Sequence, residues 1–530
     1  MPLALVPLLA LLPTFAPPAE PPDRLRTVAE RSGFRATSLH RDVVDLLDAL
    51  EAVDGDDGVM TRLSLGTSVE GRDLPLVTLA DPPARTAAEA RAGGRLIVFV
   101  LGNIHAGEVC GKEALLMLAR EIVTERDRPD VRALLERLVL VFAPIYNADG
   151  NERVDVSNRP GQVGPADGMG VRPNAQGLDL NRDHVKLESP EARAQVRFLT
   201  DWDPDLVIDT HTTNGSIHRF VLTYAAPQNP SAHPAPLEWT RDVLLPAVSK
   251  RLEARTGDRT FFYGNLDRAR TRWTTYSSQP RFGAPYRGLR GHLSILSEAY
   301  AYASYEERVR ATLEFVRECA AYVAEHADTV RELRERARRE TVWNALKLAG
   351  RLPVGLRHEV AAFDGTVSIP SELATRGPDG RWRTSGVPVT WLVAHHGRFE
   401  PTITTTLPRG YLVPPGLDAV VEKLRQHGIV VRPVDAESEG PLEVDRIDEI
   451  ARDPRAFQGH HLVRLEVTRR TETRRVGPGW WRVDLAQPLG TLALYLLESR
   501  SDDGLVTWNL LDPWLEAGAD YPILRDVGGN

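Results

Sequence analysis

The chain is short of lysine, of cysteine and of long apolar runs, and each shortage excludes something. Only five of its 65 basic residues are lysine (Lys112, Lys186, Lys250, Lys347 and Lys423); the other 60 are arginine. With about one residue in nine an arginine, a functional arginine has to be argued from its spacing, not from its presence. The formal net charge of −8 gives no reason to expect a nucleic-acid partner. Two cysteines, Cys110 and Cys319, exclude a disulfide framework and a four-thiolate metal site, and leave room for one bridge at most. No stretch is apolar for the roughly 20 residues of a transmembrane helix. Neither a phosphate-binding glycine loop nor a Gly-x-Ser-x-Gly elbow is present, so nucleotide chemistry and serine hydrolysis lose support.

The composition is that of a folded globular protein, 42% hydrophobic and 26% charged. The first 19 residues carry no charge, and residues 3–12 have the length of a signal-peptide core. Five prolines interrupt this leader, and no basic residue precedes Arg24. We read residues 1–20 as a cleaved export signal, which predicts a periplasmic or extracellular protein. Without that signal the chain would be cytoplasmic.

Buried strands are expected at 95–101, 138–144, 206–210 and 293–296, where short apolar runs end at turn residues. A hairpin is expected over 63–79. Helices are expected at 24–54, 109–126, 190–200, 237–254 and 305–349. Alternation of this kind predicts an α/β domain with a mixed, largely parallel central sheet flanked by helices. After about residue 350 the pattern becomes short strands, such as 385–394 and 461–469, with one helix–strand unit over 417–434. The expected organisation is a catalytic unit over 21–335, a helical linker over 336–350 and a mostly β domain over 351–530.

The predicted strand ends carry the chemistry. The first is followed by Gly102-Asn103-Ile104-His105-Ala106-Gly107-Glu108, the third runs into His211 and the fourth into Glu298. Sites in open α/β sheets form at the carboxyl ends of strands. Two histidines and one carboxylate make a catalytic zinc site with an open position for water, and a further carboxylate supplies the base that water needs. The adjacent pairs His395-His396 and His460-His461 do not fit a shared metal, because neighbours in a strand face opposite ways. His218 is expected as pocket lining and Cys110 as core.

Over roughly residues 35–320 the chain resembles the zinc carboxypeptidases, metallopeptidases of the carboxypeptidase A and D type. The resemblance rests on Gly66-Thr67-Ser68-Val69-Glu70-Gly71-Arg72, on the His105 to Glu108 motif and on Asn147-Ala148-Asp149-Gly150, which lacks the family's proline. It rests also on the run from Arg172 to Arg182, with its Asn181-Arg182 pair, and on the positions of His211 and Glu298. It implies that His105, Glu108 and His211 hold one Zn²⁺ per chain and that Glu298 is the general base. It implies that Arg172 stabilises the oxyanion, that Asn181 and Arg182 grip the substrate's terminal carboxylate, and that Asp179 orients His105. Tyr276, 22 residues before Glu298, falls where the family's substrate-closing tyrosine lies. Arg153, Arg159 and Arg193 are expected at the surface.

The implied activity is hydrolysis of the amide bond next to a free C-terminal carboxylate in a peptide or peptide-like substrate. Two rivals remain at this stage. One is a zinc amidase of the same fold acting on γ-glutamyl or D-amino-acid bonds of cell-wall peptides. The other is a non-catalytic peptide-binding protein, which would have no need of Glu298.

Overall fold

The computed structural model describes residues 21–213, 215–378 and 382–528. The expected export signal therefore lies outside the described residues. Strands β1 (Met60–Thr67) and β2 (Asp73–Leu79) form the hairpin, and β3 (Leu96–Leu101), β4 (Leu138–Ala143) and β5 (Leu206–Thr212) are buried along their whole length. Strands β6 (Leu222–Ala225) and β7 (Thr260–Phe262), the latter at the sheet's edge, follow. The chain then leaves the sheet as β8 (Asn265–Leu266) and β9 (Arg272–Thr274) and returns to its middle as β10 (Leu293–Ala299). The resulting order is β1-β2-β4-β3-β5-β10-β6-β7. The run β4-β3-β5-β10 is parallel and is flanked by antiparallel neighbours, so the sheet is mixed and largely parallel. β3, β5 and β10 sit side by side, and their carboxyl ends open on the same edge.

Helices cover the sheet: α1 (His40–Asp54), α2 (Cys110–Thr124), α3 (Pro129–Arg137), α4 (Pro190–Asp201), α5 (Leu245–Thr256), α6 (Gly283–Leu289), α7 (Tyr305–Glu325) and α8 (Ala327–Lys347). Their ends follow local chemistry. Ser189 caps α4 by accepting from the Ala192 N–H, with Pro190 at the first helical position. Ser304 and Glu307 form a capping box on α7.

Three expected helices are broken. The helix at 24–54 starts properly at His40, because Gly33 and Phe34 take left-handed backbone angles. The helix at 237–254 is interrupted by a wider turn over Thr240–Leu244, just ahead of Pro246, which has no N–H to donate. The helix at 305–349 divides at His326, whose ring stacks on Tyr322 at 4.1 Å and whose Nδ1 lies 2.8 Å from the Tyr322 carbonyl. The short helices α3 and α6 and strands β6 to β9 were not expected; they lack a long periodic pattern.

The C-terminal region is β-rich. Strands β11 (Pro353–Ala362), β12 (Val367–Arg376) and the 25-residue β13 (Trp382–Thr406) form a sheet with β8 and β9, β13 pairing with β9 at Ala394–His396. A second sheet contains β14 (Gly410–Val413), β15 (Arg432–Pro433), β16 (Ser438–Arg452), β17 (Val463–Val476), β18 (Trp481–Asp484) and β19 (Leu524–Asp526). Helix α9 (Asp418–Gln426) packs against α4, and α10 (Gly490–Leu497) against α6 and α8. The helix–strand unit is present at 417–434, with its strand reduced to two residues. One contiguous apolar core runs from Leu25 through the central sheet to Ile523. Cys110 and Cys319 are both buried and free.

Candidate functional site

His105 and Glu108 lie on the turn that leaves β3. The turn is tight: Asn103 is left-handed, and the Glu108 N–H donates to the His105 carbonyl at 2.8 Å. His211 stands near the end of the neighbouring β5. His105 Nδ1 and His211 Nδ1 are 3.2 Å apart, and each approaches Glu108 Oε2, at 3.1 and 3.0 Å. Three donor atoms about a tetrahedral ion with bonds of about 2.0–2.1 Å would be about 3.4 Å apart, so this cluster has the size and the donor chemistry of a zinc site. It is the only such trio of His, Cys, Asp or Glu among the described residues.

The outer nitrogens of both rings face carboxylates. His105 Nε2 is 3.0 Å from Asp179 Oδ1, and His211 Nε2 is 3.1 Å from Asp209 Oδ1. A carboxylate behind a histidine fixes ring orientation and leaves the other nitrogen for a metal. Asp209 is buried and bonded in turn to Arg287 at 2.8 Å. Sequence reasoning missed Asp209, although two residues apart on a strand puts it on the same face as His211. Burial opposes a charge on His211, but Asp209 and Glu108 outweigh it and hold its pKa well above that of an ordinary histidine. Burial likewise opposes the charge of Glu108, yet His105 and Arg159 keep its pKa well below the usual carboxylate range.

Glu298 is in register with His211 across the parallel β5–β10 pair, so both side chains project from the same face. It lines a cavity of about 280 Å³ together with His105, Glu108, Arg172, Asn181, Arg182 and Tyr276. Burial and the nearby charge of Glu108 push its carboxyl up to about 7, against the pull of His211 and Arg172.

The remaining expected residues border the same space. Arg172 binds Asp179 Oδ2 through Nε and Nη2, at 2.9 and 2.8 Å, and its Nη1 reaches toward the cluster, 3.3 Å from His105 Nδ1. Asn181 accepts the Gly283 N–H at 2.8 Å through Oδ1. Arg182 lies over the Phe282 ring, 3.9 Å from its centroid, and the nearest carboxylate oxygen, on Asp179, comes no closer than 3.9 Å. Its positive charge is therefore incompletely compensated. Tyr276 packs between Tyr263 and Phe282, and its buried hydroxyl has no hydrogen-bond partner among the described residues. Tyr263 and Phe282 also line the cavity. They come from a stretch without periodicity, which gave sequence reasoning no signal.

The other motifs support this site from behind. Asp149 accepts from Ser68 Oγ, the Glu70 N–H and Arg72 Nη1 at 2.6–2.9 Å, joining the β1–β2 hairpin to the Asn147 turn. Asn147 in turn donates to the Arg172 carbonyl at 3.2 Å. The C-terminal region reaches the site as well. Gln458 Oε1 accepts the Asp179 N–H at 2.8 Å, and Asp503 pairs with Arg281 at 2.9 Å.

One expectation is corrected. Arg159 is not a surface residue: its side chain is 14% exposed and its Nη2 lies 2.7 Å from Glu108 Oε1. A residue 51 positions from Glu108, on an arginine-rich background, offered no spacing to read. Arg153 and Arg193 are at the surface, as expected.

Residues 46–277 match the family model described as zinc carboxypeptidase. Carboxypeptidase 2 of Trichophyton rubrum is 21% identical over 482 residues, covering 86% of this chain and 81% of that protein. Carboxypeptidase D of Mus musculus is 35% identical over 177 residues, covering 29% of this chain and 13% of that protein. Among solved structures, a metallo-carboxypeptidase from Burkholderia cenocepacia aligns with a TM-score of 0.40 at 19% identity, covering 54% of this chain and 69% of that one.

Proposed function

We propose that this chain, whose residues 46–277 match the family model described as zinc carboxypeptidase, cleaves the amide bond next to a free C-terminal carboxylate, with one Zn²⁺ held by His105, Glu108 and His211. The observation that carries the reading is the single cavity shared by the donor trio, the Glu298 carboxyl and the cationic pair Arg172 and Arg182. When bound, the ion supplies Lewis-acid polarisation and lowers the pKa of a water.

The residues divide the work by chemistry. Arg182, poorly paired inside the protein, binds the substrate's terminal carboxylate together with the Nδ2 donors of Asn181. Arg172, fixed by Asp179 through two of its nitrogens, presents Nη1 to the negative charge that develops on the scissile carbonyl oxygen. Glu298 takes a proton from the attacking water and returns it to the leaving amine. Tyr276 donates its unpartnered hydroxyl to bound substrate. Asp179 and Asp209 orient the two imidazoles. The apolar leader of the sequence supports export of the mature protein.

The test is a matched pair of peptides that differ only in a free or amidated C-terminus, assayed beside the zinc content of protein purified without added metal. The expected result is one zinc per chain and cleavage of the free acid alone. Equal cleavage of both peptides would remove the carboxylate grip from Asn181 and Arg182.

A further inference from the structure

The turn that carries Asn181 and Arg182 is framed by the residue ahead of it. Asp179 Oδ1 accepts the Asn181 N–H and the Asp179 carbonyl accepts the Arg182 N–H, both at 2.9 Å. The Asp179 N–H finds its own acceptor 279 residues away, in Gln458 Oε1 at 2.8 Å. Opposite this turn, Asn181 Oδ1 accepts the Gly283 N–H at 2.8 Å, and Arg182 lies over Phe282. That facing segment is anchored by the same C-terminal region: the Asp503 carboxylate accepts the Arg281 N–H at 2.6 Å and Arg281 Nε at 3.0 Å.

Gln458 is aimed by a tight turn. The Phe457 N–H donates to the His460 carbonyl at 2.8 Å, and the His460 N–H returns the bond at 3.0 Å. Between them, Gln458 and Gly459 both take left-handed φ, 53° and 83°, as a two-residue hairpin turn of this class requires. Such turns favour asparagine, aspartate or glycine at their first central position, because these bear the left-handed angle at least cost. Glutamine gives up that preference and gains the extra methylene that carries its amide to Asp179. The turn is fixed at both ends. His460 Nε2 lies 2.7 Å from Glu188 Oε1, and its Nδ1 3.0 Å from Asn509 Oδ1. The Phe457 ring packs on Trp508, whose indole N–H donates to Asp503 at 2.9 Å, and receives Arg281 over its face at 5.4 Å.

We propose that Gln458 is a positioning residue for the Asp179–Arg182 turn, so that the C-terminal region holds Asn181 and Arg182 in place for the substrate's terminal carboxylate. This rests on the reading given above, in which that pair grips the carboxylate. Tying the Asp179 N–H to a braced hairpin limits rotation of the turn that follows it. A grip of this kind is sensitive to small shifts, and a misplacement of about 1 Å can cost about 10²-fold. Gln458 acts through Asp179 and needs no contact with substrate.

The experiment compares wild type with Gln458→Asn in the full chain. Asparagine suits the turn better but falls one methylene short of the Asp179 N–H, so the two roles of the residue separate. Each protein is titrated calorimetrically with a peptide whose last amide is replaced by an uncleavable methyleneamine, with a free or an amidated C-terminus. Wild type should bind the free acid more tightly than the amide. Gln458→Asn should narrow that advantage by about 10-fold while its melting midpoint stays at or above wild type. On a cleavable free-acid peptide the loss should appear chiefly in KM. A residue that only shapes its turn predicts an unchanged advantage in an equally stable protein; that result overturns the proposal and leaves the grip standing. If Gln458→Asn does not fold, Gln458→Met, which keeps the reach and lacks the acceptor oxygen, decides on the same two peptides. A narrowed advantage then supports the role, and an unchanged one overturns it. A wild-type chain that binds both peptides equally overturns the grip and the proposal with it.

Discussion

Glu298 stands directly opposite His211 across the parallel β5–β10 pair. Register alone therefore sets the candidate base beside a candidate metal ligand, with no loop needed to bring them together. Because strand positions are stiff, the separation of the two groups is built into the sheet and survives a change of side chain at either position.

Glu298→Gln should accordingly keep the fold and the zinc while losing the proton acceptor. Turnover is expected to fall by at least about 10²-fold, the lower end of general-base contributions. Zinc content by elemental analysis and kcat on a free-acid peptide check this. Wild-type turnover in the variant would assign the proton to another group.

Asp209→Asn tests the carboxylate behind His211. Zinc affinity should fall by about 10- to 100-fold through loss of ring orientation. The melting midpoint should fall too, since buried Arg287 loses its charged partner and broken buried pairs cost about 3–5 kcal/mol. Unchanged zinc affinity in folded Asp209→Asn protein would end the orienting role.

Much of this architecture can be read from local sequence. Runs such as Leu96–Leu101 are apolar throughout because parallel strands are covered on both faces, and the turn that leaves this strand carries His105 and Glu108. His105 and Glu108 are legible because one turn holds both. Asp209 was legible in principle from strand parity but hidden inside an apolar run. Arg159, Tyr263 and Gln458 were not legible, because each reaches the site through a non-local contact. For Gln458 the partner Asp179 lies 279 residues away. The breaks at Phe34 and His326 were missed for a different reason: side-chain periodicity continues across a backbone that turns.

The contact between Glu188 and His460 joins the loop before α4 to the C-terminal region and should depend on pH. His460 Nε2 lies 2.7 Å from Glu188 Oε1. Burial opposes the charge on Glu188, but His460 and Lys186 pull its carboxyl down to about 2. The same bond to Glu188 raises the pKa of His460. A lowered carboxylate stabilises the fold above about 4.5 and loses that effect as pH falls toward 2; a raised imidazole stabilises below about 6.5 and loses it as pH climbs through the folded pKa. The gap in melting midpoint between wild type and His460→Gln should therefore be widest at about pH 4.5–6.5 and shrink on both sides. A gap that stays constant from pH 4 to pH 9 would show that packing, not charge, sets it.

Tyr276→Phe separates stability from function at one atom. The Tyr276 hydroxyl is buried without a partner among the described residues, and a buried unpaired donor costs about 1–3 kcal/mol. Removing it should raise the melting midpoint of the free protein by a few degrees while the ring keeps its contacts with Tyr263 and Phe282. If the hydroxyl finds its partner only in bound substrate, kcat/KM should fall in the same variant, by about 10-fold for one lost neutral hydrogen bond. Stability and activity then move in opposite directions, which simple loss of packing cannot produce. A variant that is both less stable and less active would make Tyr276 a core aromatic whose hydroxyl has no part in the reaction.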